Sequence, residues 1–88
     1  AMNTCIRGTF ECSWEKIEER ILQDMKGEAG KFVSDYTLAR EGEKGLIWLG
    51  NVTDFEAMGE FMNTPEQQRL DEEDGISMVV YTMQAMEG

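Results

Sequence analysis

Histidine, the side chain that most often moves protons or holds metals near neutral pH, is absent from this 88-residue sequence. Two cysteines and a surplus of carboxylates remain, eighteen acidic residues against eight basic. Cys12 stands just ahead of an expected helix N-terminus, a position that lowers a thiol's pKa and can activate it as a nucleophile. No base neighbours it in sequence, so a half-buried inert thiol is the plainer expectation. Cys5 and Cys12 lie at odd separation in one extended stretch, which points them to opposite faces, out of reach of a shared disulfide or zinc ion. The run Asp71-Glu72-Glu73-Asp74 could attract a cation or a basic partner. No D-x-[DN]-x-[DN]-G loop organises a calcium cage, however, and four acids at a helix C-terminus read as a solvated end that opposes the dipole. No metal site and no cofactor are expected.

The length suits one domain over residues 1–88, with Ala1 ahead of Met2 reading as a remnant of an expression tag. A chain this short buries only about 60–65% of the surface its unfolded form exposes, so it needs help to be stable. With neither disulfide nor metal in prospect, a partner subunit is the expected source. Two free thiols in an unstapled chain fit a reducing cytoplasm. A net charge of −10 repels phosphate backbones and anionic lipid, so neither nucleic acid nor membrane is an expected partner. The longest apolar runs, Leu46 to Leu49 and Met78 to Tyr81, are too short to span a bilayer, and no signal peptide opens the chain. The seven methionines fall at helical and strand spacing, the pattern of core filling.

The elements that must position any site follow from periodicity and caps. Residues 3–12 read as a strand, with Thr4, Ile6, Gly8 and Phe10 on one face and Cys5, Arg7, Thr9 and Glu11 on the other. Ser13 is placed to cap a helix whose apolar stripe is Trp14, Ile17, Ile21, Leu22 and Met25, ending at Gly27. Lys31–Arg40 and Leu46–Val52 read as strands joined by the polar turn 41–45. Thr53 and Glu56 form a T-x-x-E capping box for a second helix with Phe55, Met58, Phe61 and Met62 on its apolar face. Asn63-Thr64-Pro65 interrupts that helix, yet Thr64, Pro65 and Gln67 are an N-cap, an N1 proline and a capping-box partner. The helix therefore restarts as a polar, rim-lying piece up to about Asp74, and Ile76–Met86 closes the chain as a strand. A three-residue turn between the second and third strands puts Tyr36 and Trp48 on one face; a two-residue turn separates them.

The order β-α-β-β-α-β predicts an α+β fold of ferredoxin-like type, a four-stranded antiparallel sheet with helices on one face. The other face should then alternate polar with apolar. Leu46 to Leu49 and Met78 to Tyr81 are instead apolar on both sides, so both faces are expected to be covered, one of them by a second copy of the chain.

In this element order and spacing the sequence resembles the dimeric α/β-barrel superfamily, which includes antibiotic-biosynthesis-monooxygenase-like proteins. The local echo is Phe61-Met62-Asn63-Thr64-Pro65-Glu66-Gln67-Gln68-Arg69-Leu70, a small-residue, proline and acidic/polar block ending the second helix before the last strand. The resemblance implies a homodimer packed sheet against sheet, with a ligand cleft between each sheet and its own helices. The superfamily's activities include cofactor-free oxygenation of aromatic polyketides, haem degradation, polyketide cyclisation and lactone isomerisation. The missing imidazole argues against haem ligation and histidine-based cyclisation. A cofactor-free oxygenase would hold an electron-rich phenol and favour its anion: Trp48 and Tyr36 as aromatic walls, Asn51 as hydrogen-bonding amide, Arg7 as cation. The competing reading makes Trp48 and Tyr36 core aromatics, pairs Arg7 with a carboxylate and assigns Asn51 to the turn into the second helix. The leading expectation is a small dimer binding an apolar or aromatic metabolite in the sheet–helix cleft. The alternatives are a cofactor-independent monooxygenase and a structural or regulatory interaction module.

Overall fold

The computed structural model describes residues 1–87. Its elements are β1 (Thr4–Thr9), α1 (Trp14–Lys26), a 3₁₀ turn (Glu28–Lys31), β2 (Val33–Glu41), β3 (Gly45–Val52), α2 (Phe55–Met62), α3 (Pro65–Asp74) and β4 (Ser77–Thr82). The sheet is antiparallel throughout in the order β2-β3-β1-β4, as the ferredoxin-like reading requires. Pairing of Ile6 with Trp48, and of Trp48 with Leu38, places Ile6, Trp48 and Leu38 on the helix-covered face. The core forms there from Ile6, Phe10, Leu46, Trp48 and Val52 of the sheet region against Ile17 and Met58 of the helices, with Ala29 and Phe32 closing one end.

Local chemistry sets the helix ends. Ser13 accepts from the Lys16 amide at 3.2 Å and Thr64 Oγ1 from the Gln67 amide at 3.2 Å, each satisfying an orphan donor of the first turn. α3 closes in a Schellman arrangement, with Gly75 in the left-handed region at φ 64° and the Ile76 amide reaching Asp71 O at 2.8 Å. The second helix starts one residue later than the capping box implies. The Thr53 amide is tied to Phe32 O at 2.8 Å, and Asp54, in extended conformation, becomes the cap of Ala57 at 3.0 Å.

Strand ends differ from the sequence expectation where partners run out. β4 stops at Thr82 rather than Met86, because β1 begins at Thr4 and the final bond is Met83 N to Asn3 O at 2.8 Å. β1 stops at Thr9, since the Glu11 and Cys12 amides turn to Asp74 O at 3.0 and 3.2 Å. β2 starts at Val33 because Glu28–Lys31 coil into the 3₁₀ turn.

The β2–β3 register pairs Glu41 with Gly45, leaving a three-residue turn, and Tyr36 and Trp48 accordingly share the helix-side face. Their rings stack with centroids 6.3 Å apart and planes 15° from parallel. The six-membered ring of Trp48 lies over Gly50, where a built Cβ would come within 2.6 Å of both Cζ2 and Cζ3. Gly50 is therefore the floor on which the indole rests. Gly50→Ala should force the indole off its rotamer and destabilise the fold by about 1–3 kcal/mol, as overpacking does. Urea unfolding checks this; a variant with unchanged midpoint would show that the ring is free to move.

Candidate functional site

The structure divides the four residues singled out in the sequence between two sheet faces. Trp48 and Tyr36 lie on the helix side. Arg7 and Asn51 lie on the open side, where Arg7 pairs across the sheet with Ile47 and Val79. Arg7 donates from Nε to Glu41 Oε1 at 2.9 Å and from Nη2 to Glu41 Oε2 at 3.2 Å, and this bond and charge raise its pKa. Asn51 donates to Ser34 Oγ at 2.7 Å within β3 rather than sitting in a turn. The sheet thus separates both polar candidates from the aromatic pair.

Between the sheet and the helices is a cavity of about 90 Å³. Trp48, Leu46 and Ile6 form its floor, Ile17 and Ile21 of α1 one wall, and Met58, Phe61 and Met62 of α2 another. Trp48 is 3% exposed, and its Nε1–H is buried with no hydrogen-bond acceptor among the described residues. Buried indole N–H groups usually find a partner, so this donor is an exception. The volume is below the roughly 150 Å³ that admits benzene and well below the ~300 Å³ at which ligand pockets begin. An aromatic ring enters only if a wall gives way. The methionine side chains, unbranched and polarizable, let the α2 wall adapt.

The remaining wall is polar, and nothing in the sequence periodicity identified it. Arg20, on the charged side of α1, is 12% exposed. It donates to Gln67 Oε1 at 2.8 Å, to Asp71 Oδ1, and to Asp74 Oδ2 at 3.2 Å. Gln67 in turn donates to Asp24 Oδ1 at 3.3 Å. Arg20, Asp24, Gln67 and Asp71 all line the cavity. The signal that could have exposed this wall is the acidic end of α3 itself: it opposes the helix dipole unless cations of another element answer it. Arg20 and Lys16 provide those charges, with Lys16 Nζ 2.9 Å from Asp74 Oδ1.

Titration behaviour follows burial and partners. Desolvation would raise the Asp74 carboxyl, but the bonds and charges of Lys16 and Arg20 outweigh it and hold its pKa below the ordinary value. Burial pushes Asp24 up, with Arg20 and the Gln67 bond opposing only in part. Burial likewise raises the Cys12 thiol, against the lowering its helix position suggested. Both cysteines are free thiols, and the described residues contain no cluster of metal-ligating side chains. No helix among the described residues is long and apolar enough to cross a membrane.

No protein-family model matches the sequence, and no curated protein does. Solved structures do match. SnoaB, a cofactor-independent oxygenase from Streptomyces nogalater, superposes with TM-score 0.68 at 13% identity, over 99% of this chain and 94% of its own. An antibiotic biosynthesis monooxygenase superposes with TM-score 0.53 at 15% identity, over 98% of this chain and all (100%) of its own. A protein of Shewanella oneidensis matches with TM-score 0.58 at 14% identity, over 93% and 90%. The fold is thus the one shared by antibiotic-biosynthesis-monooxygenase-like proteins, in agreement with the resemblance read from the sequence. At such identities the likeness is one of fold.

The Asp74 cluster makes the acid limb of stability predictable. A carboxyl whose pKa is lowered by folding stabilises the protein above its unfolded pKa, and the contribution fades as pH falls through the folded value. Asp74→Ala should cost about 1.5–3 kcal/mol near neutral pH, the worth of a hydrogen bond between charged groups, since Arg20 keeps Asp71 as a partner. It should also flatten the loss of stability below about pH 4, near the unfolded carboxyl value. Urea unfolding across pH checks both; an undiminished acid slope in Asp74→Ala would assign the slope to other carboxyls.

Proposed function

We propose that the protein binds a small apolar or aromatic metabolite carrying one hydrogen-bond acceptor, in the chamber between sheet and helices. The observation that carries this reading is a cavity lined mainly by aliphatic and aromatic side chains, with Arg20, Asp24, Gln67 and Asp71 on one side and an unpaired Trp48 Nε1–H in the adjoining core. A ligand acceptor that meets this donor regains a bond the folded protein lacks. Tyr36 serves by holding the indole plane through stacking. Arg7 and Asn51 have no part in this chamber and belong to the open face.

We further propose that the open face is covered by a second copy. Ile47, Leu49 and Cys5 are half-buried there, beside Val79 and Tyr81 at 54% and 53% exposure. A contiguous apolar patch of this kind marks an interaction surface, and a chain of this length gains needed burial from it. The two free thiols support residence in a reducing compartment such as the cytoplasm.

A second reading is favoured by the fold shared with SnoaB: cofactor-independent oxygenation of an aromatic substrate. Asp24, a carboxyl of raised pKa in the chamber wall, is the group on hand to accept a phenol's proton.

Acetophenone and ethylbenzene, alike in shape but differing in an acceptor, separate these ideas. Acetophenone should bind about five- to tenfold more tightly, the worth of one hydrogen bond, and Trp48→Phe should erase that difference between the two ligands. Chemical-shift titration measures both; no saturable binding of either ring at millimolar concentration would sink the reading. Oxygen uptake with 1-naphthol or a naphthohydroquinone then distinguishes the enzyme from the binder. Light scattering at micromolar concentration should give twice the chain mass, and a monomer would remove the second copy.

A further inference from the structure

The two edges of the sheet are built differently. β2, at one edge, carries Asp35, Arg40 and Glu41, and its pairing with β3 shifts register between Val33 and Asp35. Charges and irregularities of this kind deter the addition of a further strand. β4, at the other edge, reads Ser77-Met78-Val79-Val80-Tyr81-Thr82, with no charge, no proline and an unbroken register against β1. It is also exposed on both faces. Val79 and Tyr81 lie on the open side, whereas Val80 pairs with Ile6 on the helix side and is still 45% exposed. A copy covering the open face leaves Val80 in water.

The pairing of β4 with β1 decides which of its backbone groups are free. The Met83 amide donates to Asn3 O at 2.8 Å, which marks the odd-numbered residues as those turned towards β1. Antiparallel strands alternate in this respect, so Met78, Val80 and Thr82 direct their N–H and C=O groups away from the sheet. Val80 is the middle one of the three. A two-fold axis through Val80 sets Met78 of one chain opposite Thr82 of the other, and Val80 opposite itself. Every free donor then meets a free acceptor. Moving the axis to Val79 would set Thr82 against Ile76, whose amide is already bonded to Asp71 O at 2.8 Å. The side chains suit the register at Val80. Valine meets valine on the helix side, and Val79 meets Tyr81 on the open side, an aromatic and β-branched pair.

We propose that the free edge of β4 is an interface for β4 of another copy, paired antiparallel about Val80 and joining two four-stranded sheets into one of eight strands. A copy is the occupant because the edge complements itself in both backbone bonds and side chains. In a chain of net charge −10, it is also the edge that carries no charge to repel its like. The contact is separate from the open-face pairing: it covers different surface, and it requires neither that pairing nor a ligand. A single edge strand buries less than the ~1,200 Å² of a standard interface, so the association is weak and forms at high protein concentration.

Amide hydrogen exchange followed by NMR tests this residue by residue on the unaltered chain. The Val80 amide should exchange at least about tenfold more slowly at millimolar than at tens of micromolar concentration. The Val79 and Tyr81 amides, bonded to β1 in either case, should not respond to concentration. Over the same range the sedimenting mass should double. Val80→Pro removes the central free donor while sparing every bond to β1, and should abolish the doubling. Val80→Lys keeps the backbone intact and sets two ammonium groups against each other at the axis, so it should do the same even where the proline variant fails to fold. Leu49→Lys, on the open face, should leave the protection of Val80 in place. A Val80 amide that stays unprotected at millimolar concentration would overturn the edge interface. So would protection that survives in folded Val80→Lys, or that disappears in Leu49→Lys.

Discussion

The stacking of Trp48 on Gly50 is the constraint from which the rest of the helix-side architecture follows. An indole projecting from a central strand needs floor space, and only a residue without a Cβ two positions along β3 provides it. With the ring laid along the strand, Tyr36 from β2 closes over it at stacking distance. That contact exists only because the turn after β2 has three residues and not two. Trp48, Ile6 and Leu46 together line the cavity beneath the helices.

A second constraint comes from charge. α3 cannot be retained by burial, because it has almost nothing apolar to bury. Four acids at its C-terminus would destabilise it in isolation. Arg20 and Lys16, projecting from α1, turn that liability into an attachment. The Arg20 bonds are shielded enough to matter, whereas Lys16 is half exposed and the more screened of the two.

Much of this fold was legible in the residues. Ser13, Thr64-Pro65 and Gly75 fix helix ends through local hydrogen bonds that a sequence displays directly. The β-α-β-β-α-β order follows from those ends and from the period-2 runs between them. What could not be read were choices settled by distant partners. Thr53 lost the cap to Asp54 because Phe32 claimed its amide. The last strand stopped at Thr82 because β1 had no more residues to offer it. The candidate site was half legible: Trp48 and Tyr36 share a face, while Arg7 and Asn51 fall on the other, a matter of strand parity once the register is known. Arg20 was hidden because a charged residue opposite an apolar stripe looks solvated until another element arrives to bury it.

The open face raises a related question about Arg7, a cation amid apolar side chains. Its row across the sheet runs Ala39, Ile47, Arg7, Val79, and the next runs Thr37, Leu49, Cys5, Tyr81. An unpaired arginine in such a patch would oppose covering it, since burying a lone charge is strongly unfavourable. Arg7 is already held in a two-bond fork by Glu41 from β2, two strands away across Ile47. The pair carries no net charge, so covering it removes a neutral unit from water and not a lone cation, with three of the five guanidinium N–H donors left for the covering surface to meet. Arginine is also among the side chains enriched at interface cores, for its flat, weakly hydrated face. In the proposed pairing of two chains, Arg7 belongs to the covered face, on the opposite side of the sheet from the indole.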